Sequence, residues 1–105
     1  MVGSKFRLGS NVRKPFPKPY TTPLFLFFSM PNGMQHARIA VTVSKKIDKR
    51  ATVRNRIRRQ VFHCLSKPEV LTKGYDMLVV AKAGIKNASD TCEIVEKTLS
   101  AVHIL

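Results

Sequence analysis

The sequence predicts a small α+β domain, in which a modest sheet with a strand, helix, strand crossover carries a basic helix and a C-terminal helix packs on that sheet. Three observations predict it. Residues Arg38–Ser44 alternate Ile39, Val41 and Val43 with Arg38, Ala40, Thr42 and Ser44, the period of a half-buried strand. Val53, Ile57, Val61 and Cys64 with Leu65 then recur at helical spacing and make one apolar stripe. Beyond them Asp76–Lys82 contains a central apolar run that suits a covered strand.

Before these elements, residues 1–23 are expected to be irregular. Lys14-Pro15-Phe16-Pro17-Lys18-Pro19-Tyr20 interleaves proline with basic and aromatic residues, which excludes a helix interior. At most Lys5–Val12 forms a short helical piece, and Gly9 weakens it. Leu24–Met30 reads as a nearly continuous apolar strand, and Pro31-Asn32-Gly33 predicts a turn closing a hairpin with the strand after it. The basic helix is expected to start with Thr52 as N-cap and to end near Leu65. A helical turn at Glu69–Leu71, a loop over Gly84–Ala88 and a last helix capped by Asp90 complete the chain. Cys92, Val95, Leu99 and Val102 give that last helix its buried stripe.

The 105 residues fit a single domain, 1–105, with 44% hydrophobic and 24% charged residues. Nineteen Lys and Arg against six Asp and Glu give a net charge of +13. Residues 44–59 alone hold eight cations and one acid, Asp48, while residues 60–105 hold five of each. That asymmetry implies a polyanionic partner, because the cations cluster where the amphipathic helix begins and no acid complements its dipole. Phosphate oxygens match both guanidinium groups and helix N-terminal amides. The blander alternative is a solvated basic face.

Cys64 and Cys92 show no CxxC or zinc-ligand spacing, so they are expected to be reduced thiols, with no disulfide. The longest apolar run, Leu24–Phe28, is far too short to span a membrane, and a cytoplasmic location is expected, with no membrane partner. The six acids include no convincing pair for acid–base work, and His36, His63 and His103 are scattered. Phe62 projects off the apolar stripe, either towards a nucleic-acid partner or under the 66–75 loop.

Ser44-Lys45-Lys46, a short loop and then Val53-Arg54-Asn55-Arg56-Ile57-Arg58-Arg59 resemble the signature of the bacterial ribonuclease P protein component. The later KGYDMLVVAKAG is similar to the same family, and the likeness covers roughly residues 24–105. Phe62 and His63 depart from it, standing where the family continues with an Arg and an acid. The resemblance implies a left-handed crossover, although such units are right-handed in about 98% of cases. It also implies a basic-aromatic first helix, which the prolines here shorten, displace or remove.

On function, the resemblance implies the protein subunit of a ribonucleoprotein endonuclease that removes the 5′ leader of precursor tRNA. The catalytic RNA subunit and its Mg²⁺ would perform hydrolysis, and no cofactor is bound by a motif of the protein. The implied RNA-binding residues are Lys45, Lys46, Lys49, Arg50, Arg54, Asn55, Arg56, Arg58 and Arg59. Candidate leader contacts are Phe6, Arg7, Arg13, Lys14, Phe16, Lys18, Tyr20 and Arg38, since aromatics stack on unpaired bases and cations hold phosphates. The expected partners are the catalytic RNA and precursor tRNA, without an obligate protein partner. The alternatives are a non-catalytic RNA-binding protein of ribosomal or RNA-chaperone type, and an independent nuclease.

Overall fold

The computed structural model describes residues 18–102 and 104. Strands β1 (Tyr20–Thr21), β2 (Phe25–Pro31), β3 (Arg38–Thr42) and β4 (Tyr75–Ala81) form one mixed sheet in the order β1-β2-β4-β3. Strand β4 pairs antiparallel with β2 and parallel with β3. The parallel pair cannot be joined by a tight turn, so the chain crosses over through α1 (Ala51–Leu65) and the short α2 (Pro68–Leu71). A 3-10 helix (Ala83–Asn87) and α3 (Thr91–Ala101) follow β4.

The hairpin expected around Pro31-Asn32-Gly33 does not form, because β4 lies between β2 and β3. Residues 32–37 instead carry the chain across the start of β4, a step of about two strand spacings, roughly 10 Å. Gly33 turns the chain with a positive φ of 71°, which glycine adopts without steric cost. The segment is tied down by what it crosses. The Asn32 backbone N–H donates to the Gly74 carbonyl at 3.0 Å, and that of Ala37 to the Leu71 carbonyl at 2.9 Å.

Alternation along the strands makes two faces. Phe25, Phe27, Ile39, Met77 and Val79 are buried on one side, in a core shared with Ile57, Val61, Cys64 and Leu65 of α1 and with Val95 and Leu99 of α3. Val70, Ile85 and Ile104 extend the same core. The other face carries Leu26, Phe28, Met30, Ala40, Leu78 and Val80, all half-buried, together with Arg38 and Asp76. Tyr20–Thr21, within the segment expected to be irregular, adds the short edge strand β1.

Three further expectations are corrected. The first helix begins at Ala51 with Arg50 at its N-cap, so Thr52 lies inside the first turn. The Gly84–Ala88 loop is largely the 3-10 helix. In α3, Val95 and Leu99 are buried as expected, but Thr91 and Thr98 join them while Cys92 is exposed. The Thr98 hydroxyl is accommodated by donating to the Ile94 carbonyl at 2.8 Å.

The two cysteines, expected to be separate thiols, form a disulfide. Their separation of 28 residues carried no local signal, yet α1 and α3 pack side by side on one face of the sheet. The last turn of α1 therefore faces the first turn of α3, with a Cα–Cα distance of 5.1 Å that suits the bond. Beside it the Lys67 ammonium pairs with the Glu96 carboxylate.

Gly74 sits where the chain enters β4, and a Cβ there would collide with the Met34 carbonyl oxygen. Gly74→Ala is expected to destabilise the fold by about 1–3 kcal/mol, since overpacking forces a backbone shift. Urea unfolding measures it, and an unchanged midpoint would contradict the close approach of the two segments.

Candidate nucleic-acid interface

The basic stretch begins as β3 ends. Val43 is buried and Ile47 half-buried, so the loop is anchored by apolar residues while Lys45, Lys46 and Lys49 stay exposed. Its tight turn is closed by the Ile47 N–H donating to the Ser44 carbonyl at 3.0 Å.

Asp48, the lone acid among these cations, is buried and organises the loop. Its Oδ1 accepts the Arg50 backbone N–H at 2.8 Å and Arg50 Nε at 3.1 Å, while its Oδ2 accepts Arg50 Nη2 at 3.1 Å. Lys86 Nζ, from the 3-10 helix, reaches Oδ2 at 2.7 Å. The hydrogen bonds from Arg50 and then from Lys86 hold the carboxyl far below the usual carboxylate range. No acid lies in the first turn of α1, as the sequence indicates, but the Asp48 carboxylate just ahead of the helix supplies negative charge at its N-terminus.

Arg54 is half-buried and turns back on the same loop. Its Nη1 donates to the carbonyls of Asp48 at 3.0 Å and Lys49 at 2.8 Å. Arg58 is also half-buried and donates through Nη2 to Asn55 Oδ1. Exposed residues on α1 are Ala51, Thr52, Asn55, Arg56, Arg59, Gln60 and His63, away from the stripe of Ile57, Val61, Cys64 and Leu65. Arg56 and Arg59, three residues apart, have no protein partner among the described residues.

The nine predicted RNA-binding residues thus occupy one continuous loop and helix surface, in two kinds. Lys45, Lys46, Lys49, Arg50, Asn55, Arg56 and Arg59 are exposed. Arg50 and Arg54 also shape the loop, and Arg58 fixes the Asn55 amide. Phe62 is half-buried against the core, which favours the covered reading of its side chain.

The candidate leader contacts are not gathered in this way. Lys18 and Tyr20 lie at the β1 edge of the sheet, and Tyr20 is 40% exposed. Arg38 starts β3 at the opposite edge, and at the opposite end of that strand from the basic loop. Its Nε and Nη2 each donate to an Asp76 carboxylate oxygen at 2.8 Å, which raises its pKa further. The Asn32 side-chain amide donates to the same carboxylate at 3.1 Å. Phe6, Arg7, Arg13, Lys14 and Phe16 lie outside the described residues.

Sequence reasoning missed Asp48, Lys86, Asp76 and Asn32 as positioning groups. The available signals were the isolation of Asp48 among cations and the same-face register of Arg38 with Asp76. Lys86, which joins through tertiary contact alone, had none.

A family model described as Ribonuclease P matches residues 11–103, most of the chain. The chain belongs to the ribonuclease P protein family. It is 31% identical over 81 residues to the ribonuclease P protein component of Streptococcus agalactiae, covering 77% of this chain and 70% of that protein. With the Haemophilus influenzae protein of the same name it shares 35% over 86 residues, 78% of this chain and 72% of that one. A 46% match to the Idiomarina loihiensis component is confined to 55 residues, 52% of this chain and 44% of that relative.

Solved ribonuclease P proteins share the fold. That of Staphylococcus aureus superposes with a TM-score of 0.80 at 22% identity, covering 94% of this chain and 96% of the other. That of Thermotoga maritima gives 0.64 at 23% identity, covering 81% and 79%. The mixed sheet and the basic helix described above are therefore seated on the architecture of this family.

Because the Asp48 pKa is lowered on folding, its contribution to stability is present above the unfolded carboxylate value near 4 and is lost as pH falls through the folded one. Asp48→Asn is expected to lower the thermal midpoint at pH 6, with the gap to wild type narrowing below about pH 4. A gap independent of pH would show that the carboxylate charge does not hold the loop.

Proposed function

We propose that this chain, a protein subunit of ribonuclease P by family, assists the catalytic RNA in removing the 5′ leader from precursor tRNA. The observation that carries the proposal is the exposed cationic surface of the 44–59 loop and helix, mounted on the sheet through the apolar stripe of α1. Lys45, Lys46, Lys49, Arg56 and Arg59 screen phosphate repulsion and dock on the RNA subunit, while Arg50, Arg54 and Arg58 hold that surface in shape.

In this proposal the single-stranded leader lies against the sheet face bearing Leu26, Leu78 and Arg38, with Phe6, Phe16 and Tyr20 as stacking groups and Arg7, Arg13, Lys14 and Lys18 near phosphates. Hydrolysis is assigned to the RNA subunit with Mg²⁺. Among the described residues no group of three His, Cys, Asp or Glu is placed to hold a metal ion, and Asp48 and Asp76 are both committed to arginines. The work of this chain is binding and orientation, in the cytoplasm and without an obligate protein partner.

Reconstitution is the direct test. Adding the protein to a catalytic ribonuclease P RNA at low Mg²⁺ is expected to raise the rate of precursor tRNA cleavage, with no cleavage by the protein alone. Absence of a gain would favour a ribosomal or chaperone-type RNA-binding role, and cleavage by the protein alone would favour an independent nuclease.

Arg56→Ala combined with Arg59→Ala removes from the proposed docking surface two cations that have no partner among the described residues. The slope of log K against log salt for RNA-subunit binding is expected to fall by about two units. An unchanged slope would show that these side chains do not meet phosphate.

A further inference from the structure

The disulfide joins two cysteine residues in unequal surroundings. Cys64 is 2% exposed, in the core between α1 and the sheet, whereas Cys92 is exposed in the first turn of α3. The interface they bridge has other support. Val61 and Leu65 of α1 and Val95 and Leu99 of α3 are buried in the same core, and the Lys67–Glu96 ion pair runs beside the bond. That interface is thus held by apolar packing and an ion pair as well as by the disulfide.

We propose that Cys64 and Cys92 form a reversible thiol–disulfide site, with Cys92 Sγ as its accessible sulfur and low-molecular-weight thiols and disulfides of the glutathione class as its exchange partners. Exchange requires in-line approach of a thiolate to a sulfur, so access selects the sulfur attacked. In reduction, an incoming thiolate bonds to Cys92 Sγ, the Cys64–Cys92 bond breaks, and the Cys64 thiolate leaves and takes a proton from solvent. A second small thiolate then attacks the small-molecule sulfur of the mixed disulfide, releasing the Cys92 thiolate, which is protonated, and a small-molecule disulfide. Two electrons and two protons enter the protein. Oxidation reverses these steps. Cys92 attacks the small disulfide, and Cys64, held against it by the helix packing, displaces the second small thiolate. The site thus has a direction: Cys92 exchanges with solvent and Cys64 resolves.

Single variants of the full chain separate the two roles. Cys64→Ala, retaining Cys92, and Cys92→Ser, retaining Cys64, are incubated with oxidised glutathione and followed by intact mass, with circular dichroism to verify folding. Cys64→Ala is expected to take up one glutathione at least about tenfold faster than Cys92→Ser, and that difference is expected to vanish in denaturant. Reduced wild type in the same buffer is expected to lose two hydrogens and retain no glutathione. Equal rates for the two folded variants, faster reaction at Cys64, or a wild type that accumulates the mixed disulfide would each overturn the proposal.

Discussion

Strand β4 lies between β2 and β3, and its parallel pairing with β3 governs how the chain must run. Parallel neighbours need a crossover long enough to return the chain to the same end of the sheet, and here the crossover is α1. Covering one sheet face turns the apolar stripe of α1 inward and leaves the surface of Arg56 and Arg59 outward. The basic helix is thus not an appendage carrying charge. It is the connection that the sheet order requires, with its solvent side used for cations.

Crowding cations at a helix N-terminus opposes the helix dipole, and the fold answers with one carboxylate. Asp48 takes both the Arg50 backbone N–H and its guanidinium, and reaches Lys86 on a separate segment. One acid therefore sets the loop conformation and links it to the 3-10 helix. Lys45, Lys46 and Lys49 are left exposed around it. Local electrostatic repair and outward positive charge coexist because the repair is buried and the charge is not.

Much of this was legible in the sequence because period carries burial. The α1 stripe, the alternation of β3 and the apolar run of β4 each appear where their spacing predicts, and the resemblance of the 44–59 motif pointed to the family shown by comparison. What failed was long-range. Asn32-Gly33 specifies a turn but not the partner of the strand that follows it, so the chain turns there as expected while the hairpin does not form. Cys64 and Cys92 meet only because two helices share one sheet face, and Lys86 finds Asp48 across the fold. Neither contact leaves a trace in local spacing.

The pairing of Arg38 with Asp76 bears on how β3 finds its place beside β4. The two are direct ladder partners on the face away from α1, and Asp76 is fully buried. Sliding β3 by one residue would turn Ile39 off the core, so burial alone forbids that error. A slide by two keeps every apolar residue on its proper side, and alternation cannot detect it. It would, however, move the Arg38 guanidinium opposite Leu78 and take it from the buried Asp76 carboxylate, a cost that alternation does not register. The ion pair thereby acts as an alignment key, rejecting the mispaired sheet that hydrophobicity would accept.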